Sequence, residues 1–308
     1  MKNYFFWLLP ALAAFGCTSS KKAIYPADKL VPTEKSLVWQ ISGNGLKKNS
    51  YVYGTIHLIP KNEFEFPPAA REALDNVRRV TFEIDMKEMT NLRTQMSLMT
   101  KAFMSGGKTL KDLLSAEDYA YVKGKMNEKG LPGGMFERMK PMFLSTLFST
   151  DDNSGSAANS NMTSVEMELY SMARRRKLES AGLETAAYQM GIFDSIPYDA
   201  QAKMLVESLR SADGNHNGED ELSKMLKLYR EQDINAMQSM IGDSENGMGG
   251  YEDILLNNRN RNWIPVMGRM MLDQPTLFAV GAGHLGGESG VVALLRKEGY
   301  KVEVAPEE

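Results

Sequence analysis

Two short motifs of the same form, Gly-x-x-His, lie near opposite ends of this 308-residue chain. Gly54 and His57 bound the first motif, Gly281 and His284 bound the second, and each motif follows an apolar run that predicts a β-strand. The chain has three histidines, and two of them share this context. Because glycine has no side chain, the backbone can turn tightly there, so each imidazole is expected to project from a sheet edge into a cleft. The repeated context favours a functional pair over two isolated structural histidines.

Carboxylates that could complete such a site belong to other predicted strands. Glu83 lies inside the apolar run 80–84, and Glu184 comes just past the run 178–183. In sheets flanked by helices, functional residues gather beyond the carboxyl ends of strands. Two imidazoles with one or two carboxylates form a ligand set suited to Zn, Mn or Co. The residue types therefore predict a divalent metal site and leave open which glutamate is a ligand.

The elements that must position these residues alternate between strands and helices. Strands are predicted at 37–41, 51–56, 80–84, 178–183, 276–280 and 300–304, and helices at 69–79, 165–176, 254–271 and 291–298. This alternation predicts an α/β (α+β) fold with a central sheet flanked by helices. One strand with its Gly-x-x-His motif is expected at either end of the folded domain.

A long helical stretch rich in methionine interrupts this alternation. We interpret residues 86 to about 176 as a helical insertion, divided by turn signals at 105–107 and 131–134. Most of the 22 methionines are interpreted as core filler, because methionine packs irregular gaps readily. Residues 151–163 form a small, polar, low-complexity loop within this insertion.

The amino terminus has the layout of an exported, lipid-anchored protein. Residues 1–16 combine Lys2 with a short apolar run and a small last residue, as cleaved signal peptides do. Cys17, the only cysteine, follows directly, and residues 14–17 resemble a bacterial lipobox, whose cysteine carries acyl chains that bind a membrane. We expect 17–36 to be a flexible tether and 37–308 the folded domain. This predicts a lipid anchor in the cell envelope, on the periplasmic side of the outer or inner membrane if the cell is Gram-negative.

Composition and motif absences exclude several functions. A net charge of −3 is too small to build the cationic field that phosphate backbones attract, so nucleic acid is not expected as a partner. The sequence contains no Gly-x-Ser-x-Gly segment, so a serine triad has no support. His216, the third histidine, lies in a Gly- and Asn-rich connector and is assigned no role. Nothing in the sequence indicates an oligomeric state.

Five segments in a fixed order resemble the TraB/GumN family, relatives of the Tiki metalloproteases within the erythromycin esterase/ChaN-like superfamily. They are 52–60 (VYGTIHLIP), 80–85 (VTFEID), 180–185 (SAGLET) with Gln189, 257–260 (NNRN) before Trp263, and 279–287 (AVGAGHLGG). Order and spacing agree over roughly 37 to 305. One departure is Glu166, which stands where the family usually has an aspartate opening the helix before Gly-Leu-Glu-Thr.

The resemblance implies a metal-assisted hydrolase of peptide bonds, with a peptide or protein as its substrate. His57 and His284 would hold a divalent ion. Glu83 or Glu184 would be the third ligand, and the remaining glutamate could act as general base.

The resemblance also implies roles for two residues of the segment 257–260. Arg259 would polarise the scissile carbonyl or balance the carboxylates, and Asn260 would orient a ligand or the attacking water. Two alternative functions stay open at this point. One is a non-catalytic lipoprotein that binds haem, iron or a peptide in the same cleft. The other is an esterase-like hydrolase that uses His57 as a base without a metal.

Overall fold

A six-stranded mixed sheet forms the centre of the computed structural model, which describes residues 24–131, 133–149, 161–213, 221–242 and 250–307. The strands of these residues are β1 (Val38–Ser42), β2 (Ser50–Thr55), β3 (Ile59–Pro60), β4 (Arg79–Ile84), β5 (Met162–Thr163), β6 (Glu179–Glu184), β7 (Thr276–Gly281) and β8 (Lys301–Val304). The central sheet has the order β6-β4-β7-β2-β1-β8, and β3 pairs with β5 in a separate ribbon.

Four neighbouring strands of the sheet run parallel. β7 pairs in parallel with β2 on one side and β4 on the other, and β4 pairs in parallel with β6. β1 is antiparallel to both β2 and β8. The carboxyl ends of β2, β7, β4 and β6 therefore meet at one edge of the sheet, where functional residues of such folds gather.

A turn closed by a hydrogen bond from the Leu46 N–H to the Gly43 carbonyl oxygen lies in the connection between β1 and β2. Gly43, Asn44 and Gly45 have φ angles of +75°, +46° and +84°. Glycine and asparagine tolerate this left-handed region best, because a larger side chain would clash with the backbone there. The turn fixes the register in which Val38 faces Tyr53.

Helices cover the sheet and account for most of the remaining described chain. They are α1 (Pro68–Asn76), α2 (Met86–Thr90), α3 (Leu92–Lys101), α4 (Leu110–Leu113), α5 (Ala116–Glu128), α6 (Pro141–Ser149), α7 (Val165–Arg175), α8 (Ala186–Ile192), α9 (Tyr198–Ala212), α10 (Glu221–Arg230), α11 (Ile234–Gly242), α12 (Asn258–Asp273) and α13 (Val291–Lys297). The predicted α/β class with a helix-flanked sheet is confirmed. None of the described helices combines the length and apolarity needed to cross a bilayer.

The helices divide between two hydrophobic cores. The larger core packs against the sheet and contains Val165 and Leu169 of α7. A smaller core joins the chain from Ala102 to Leu144 with α9, through Leu205 and Leu209. We call α3–α6 with α9 the helical unit. It differs from the predicted insertion at 86–176, because α7 packs on the sheet while α9, further along the chain, completes the helical unit.

Residues 24–36, predicted as part of a flexible tether, pack against the domain. The Tyr25 hydroxyl donates to the carbonyl oxygen of Val302 at 2.9 Å and accepts from its N–H at 3.0 Å. The buried guanidinium of Arg296 donates to the carbonyl oxygens of Lys29 and Leu30. The predicted signal peptide, Cys17, most of the polar loop and His216 lie outside the described residues.

Candidate active site

Four parallel strands bring the residues predicted from sequence to one edge of the sheet. Glu184 ends β6 and Glu83 is the penultimate residue of β4. His284 lies in a 3-10 turn directly after β7, and His57 follows β2 by two residues. Both histidines, Glu83 and Arg259 line one cavity of about 770 Å³. The tertiary structure therefore assembles side chains that are more than 200 positions apart in the chain.

The glycine of the first motif is required by close packing rather than by a turn. Gly54 lies within β2, opposite Val280 of β7. A Cβ atom on Gly54 would lie 2.8 Å from Leu285 Cδ1 and 3.0 Å from Ala282 Cα. Real Cβ atoms do not approach that closely, so the segment carrying His284 packs directly on the backbone of the first motif. The two Gly-x-x-His motifs are in physical contact.

Asn260 determines which nitrogen of His284 carries the proton. The Asn260 amide nitrogen donates to the carbonyl oxygens of His284 and Ser289, so its oxygen faces Nδ1 of His284 at 2.7 Å. Nδ1 must then be the donor, which leaves a lone pair on Nε2. Burial lowers the pKa of His284 to about 3, and the charge of Arg259 acts in the same direction. His284 is therefore a neutral imidazole whose Nε2 lone pair faces Nη1 of Arg259 at 3.1 Å.

Arg259 contacts both predicted glutamates and His284. Its Nη2 donates to Glu83 at 2.5 Å and to Glu184 at 2.6 Å. Its Nη1 donates to the Leu255 carbonyl oxygen and lies 3.1 Å from Nε2 of His284. A π-helical turn, Asp253–Asn257, precedes α12 and supplies that carbonyl. Such turns often occur at functional sites.

The two predicted glutamates have different surroundings. Both oxygens of Glu184 accept hydrogen bonds, from Arg259 and from the indole N–H of Trp263 at 2.9 Å. Glu184 does not belong to the lining of the cavity, whereas Glu83 does. The Trp263 ring also lies 4.6 Å from the His284 ring, centroid to centroid. Glu184 thus fixes Arg259 and Trp263 from behind the cavity wall.

Glu83 is the carboxylate that faces the cavity. Its Oε1 accepts from the Gly281 N–H at 2.8 Å and lies 3.8 Å from Nε2 of His284. Gln189 donates to its Oε2 at 2.9 Å. Burial would raise the pKa of Glu83, but the guanidinium of Arg259, the charge of His57 and the Gly281 N–H together hold that pKa well below its usual range. Glu83 is therefore a carboxylate at every physiological pH.

Glu166 is a site residue that sequence reasoning noted only as a departure from the family pattern. Its Oε1 accepts from Nδ1 of His57 at 2.8 Å and from the Thr55 hydroxyl at 2.8 Å, while Ser164 donates to Oε2. The hydrogen bond and the charge of Glu166 raise the pKa of His57 to about 9. Its position as an acidic residue at the start of α7 was the available signal, but the pairing with His57 spans 109 residues of sequence.

The donor types at this site fit a divalent metal, although the side chains are held in an ion-pair network. Both imidazoles are held at Nδ1, by Glu166 and by Asn260, in the manner of metal ligands whose second nitrogen is fixed by an acceptor. Glu83 adds a carboxylate oxygen beside His284. Among the described residues, no three of the side chains His, Cys, Asp and Glu are close enough together to form a ready ligand set.

Comparison with known proteins identifies relatives that carry a metalloprotease name. The chain is similar to Metalloprotease TIKI1 of Danio rerio, with 22% identity over 88% of this chain and 63% of that protein. It is similar to Metalloprotease TIKI2 of Danio rerio, with 23% identity over 97% of this chain and 68% of that protein. For Metalloprotease TIKI1 of Homo sapiens the identity is 24%, over 88% of this chain and 62% of that protein. The chain thus spans less than two thirds of both TIKI1 relatives. No solved structure gave a significant match.

A family model covers almost the whole folded part of the chain. The model of the TraB/PrgY/gumN family matches residues 37–304, which begin immediately before β1 and end with β8. The matched region contains both Gly-x-x-His motifs, both glutamates and α12. Because the family model matches residues 37–304, which include all six strands of the central sheet, we conclude that this chain belongs to the TraB/PrgY/gumN family.

Proposed function

We propose that this protein is a metal-dependent hydrolase that holds a divalent ion through Nε2 of His57 and His284 and through Glu83. One observation carries this proposal: each imidazole is fixed at Nδ1 by its own acceptor, Glu166 or Asn260, so that Nε2 is the nitrogen that would bind a metal. At His284 that nitrogen lies 3.1 Å from Nη1 of Arg259, and a bound ion would take the place of this contact. Histidines that bind metals usually have such an acceptor on the second nitrogen. The alternative of His57 as an unassisted base is disfavoured, because Glu166 raises the pKa of His57 to about 9 in the metal-free protein. A divalent ion bound to Nε2 would take the place of the proton on that nitrogen.

Glu83 suits the third ligand position better than Glu184. Glu83 lines the cavity and lies 3.8 Å from Nε2 of His284, whereas both oxygens of Glu184 are taken by Arg259 and Trp263. The lowered pKa of Glu83 makes it a poor proton acceptor but a good anionic ligand. Glu184 then acts as a positioning residue for Arg259.

Arg259 is positioned to stabilise negative charge on the substrate. One Nη1 hydrogen goes to the Leu255 carbonyl and the other faces Nε2 of His284. When Nε2 is occupied by a ligand bond, that second hydrogen becomes available to a carbonyl oxygen in the cavity. A bound divalent ion would supply an activated water near neutral pH. Glu184 keeps the guanidinium beside the site while Nη1 moves away from Nε2 of His284.

The substrate class that we propose is a peptide or protein. This rests on similarity to relatives named metalloproteases and on the size of the cavity. Its volume of about 770 Å³ lies within the range of sites that bind small molecules or short peptide segments. The lining also includes apolar side chains from the helices, among them Leu209, Met225 and Ile241.

The experiment that tests the function combines elemental analysis with cleavage of a peptide library. We expect about one equivalent of a divalent metal per purified chain, cleavage that chelation abolishes, and recovery when metal is restored. His57→Ala and His284→Ala should each lose both metal and cleavage. Arg261→Ala serves as the matched control, because Arg261 is an exposed neighbour of Arg259 on α12 and does not line the cavity.

Two outcomes would overturn this assignment. Cleavage that survives both histidine substitutions would place the chemistry elsewhere. Stoichiometric haem or tightly bound peptide, with no cleavage under any metal condition, would favour a binding lipoprotein instead.

We also propose that Cys17 anchors the protein to a membrane of the cell envelope. The support is the lipobox-like segment 14–17 and the short interval between Cys17 and the packed segment that begins at Ile24. Radiolabelled palmitate should be incorporated into the full chain and not into Cys17→Ser. Equal labelling of both proteins would refute the anchor without affecting the proposed site.

A further inference from the structure

A second cavity, of about 740 Å³, lies on the helical unit and shares no lining residue with the candidate active site. Its walls carry three methionines, Met96 and Met99 of α3 and Met135 of the loop after α5. The other lining residues are Thr100, Phe103, Gly134 and Arg138. We call this cavity the methionine groove.

The methionines of the groove are not core filler. Met96, Met99 and Met135 are 66%, 56% and 50% exposed. Leu92 precedes Met96 by four positions on the same face of α3 and is 71% exposed. Large apolar side chains that share an exposed face usually mark a binding surface. The interpretation of methionine as core filler fails for this part of the helical unit.

The groove is held open by backbone contacts between its two sides. The Met104 N–H donates to the Arg138 carbonyl oxygen at 2.8 Å, and the Lys140 N–H donates to the Ala102 carbonyl oxygen at 2.8 Å. Phe103 and Met139 form a β-bridge between these bonds. The segment carrying Arg138 is thus fixed to the end of α3, so the groove is a preformed feature of the helical unit.

Arg138 gives the groove a polarity that a purely apolar docking face lacks. Among the residues that line the groove, Arg138 carries a charge and none carries a carboxylate. Within the part of the chain that is described, the Arg138 side chain has no ion-pair partner. A guanidinium at the rim of an apolar cavity complements one carboxylate attached to one apolar chain. Methionine side chains adapt to an irregular flexible ligand more readily than branched side chains do.

We propose that the methionine groove binds a free fatty acid, with its acyl chain along Met96, Met99 and Met135 and its carboxylate on Arg138. The groove volume lies in the range of sites for ligands of this size. An uncharged acyl chain lacks the group that Arg138 would pair with, and a cationic amphiphile is repelled by it. The proposal is independent of the metal site and of any hydrolase activity.

The test uses dodecanoate as the probe and full-length protein labelled with 13C at the methionine methyl groups. Dodecanoate, below its micelle concentration, should shift the methyl signals of Met96, Met99 and Met135. Met167 of α7 is the internal control, because it is also 50% exposed but lies outside the groove. Dodecanol should bind several-fold more weakly, and dodecyltrimethylammonium more weakly still.

Arg138→Gln should weaken dodecanoate binding by about tenfold and leave dodecanol binding unchanged, because a charge-assisted hydrogen bond of ~1.5 kcal/mol is lost. Arg93→Gln, an exposed arginine of α3 outside the groove, is the matched control and should change neither. Met99→Glu provides a second variant, at an exposed site, that should repel the carboxylate. Equal movement of the Met167 signal, or the same dodecanoate-to-dodecanol ratio in Arg138→Gln, would overturn the proposal. So would binding to anionic lipid vesicles or to a protein partner without any response to dodecanoate.

Discussion

The side-chain oxygen of Asn260 accepts a hydrogen bond from Nδ1 of His284 at 2.7 Å. The orientation of the amide follows from the two carbonyl oxygens that its nitrogen reaches, those of His284 and Ser289. One helix residue therefore selects the tautomer of an imidazole that lies 24 positions further along the chain. The opposite histidine, His57, is fixed in the same way by Glu166.

Asn260→Ala should weaken metal binding by about 10- to 100-fold, the usual loss when the acceptor behind a ligand histidine is removed. The reason is that the His284 ring loses both its orientation and its preferred tautomer. Metal titration with a chromophoric chelator measures the effect. Asn262→Ala, an exposed asparagine on the same helix, should leave the affinity unchanged. Equal affinities for the Asn260 variant and the wild type would contradict the role given to Asn260.

Glu83→Gln and Glu184→Gln should behave differently. Because Glu83 lines the cavity beside His284, its substitution should abolish both metal retention and cleavage. Because Glu184 acts through Arg259, its substitution should keep the metal and lower kcat more than it raises KM. Elemental analysis and steady-state kinetics separate these outcomes. Retention of metal by Glu83→Gln together with its loss from Glu184→Gln would reverse the assignment of the two carboxylates.

The two histidines of the metal-free protein should titrate at opposite ends of the pH range. NMR of the imidazole carbons should give His57 a pKa of about 9, because Glu166 stabilises its charge, and His284 a pKa of about 3, because it is buried. In Glu166→Gln the pKa of His57 should fall towards its ordinary value of 6.5. A His57 that titrates near 6.5 in the wild type would mean that the pair with Glu166 is absent in solution.

These pKa shifts also contribute to the pH dependence of stability, and the contribution of His57 is reduced because its side chain is 78% exposed and solvent screens its pair with Glu166. The pKa of His57 is raised on folding, so its contribution is fully present below about 6.5 and is lost as the pH rises through 9. The pKa of His284 is lowered, so its contribution is present above about 6.5 and is lost as the pH falls towards 3. Urea unfolding of His57→Gln should lose the alkaline component of the wild-type profile, and His284→Gln should lose the acidic one.

Gly54→Ala should lower the free energy of unfolding by about 1–3 kcal/mol, the usual penalty for overpacking. The added methyl group would lie within 3.0 Å of Ala282 and Leu285. Gly124→Ala is the matched control, since nothing lies within 4 Å of a Cβ at that position of α5. That substitution should raise stability by roughly 0.5–1 kcal/mol through helix propensity. Urea unfolding of both variants measures the contrast, and an unchanged Gly54→Ala midpoint would refute the close packing of the two motifs.

Local sequence patterns determined most of the secondary structure. The run 80–84 predicts β4, and the observed strand is Arg79–Ile84. The predicted strand 276–280 corresponds to β7, Thr276–Gly281. Both are short runs rich in apolar residues, which predict buried strands, so this local signal needs no knowledge of the fold. The boundaries of the helical unit were missed, because its core joins α9 to helices that end more than 45 residues earlier.

The sequence by itself nominated His57, His284, Glu83 and Glu184 for one site, since Gly-x-x-His motifs and carboxylates at strand ends are local signals. The different positions of these residues within the site were decided by the tertiary structure. Glu83 and Glu184 have equivalent sequence contexts, yet only the fold places one at the cavity and the other behind Arg259. The pairing of Glu166 with His57 likewise depends on strand order and on the packing of α7. Contacts between distant residues follow from three-dimensional packing, and no local pattern encodes them.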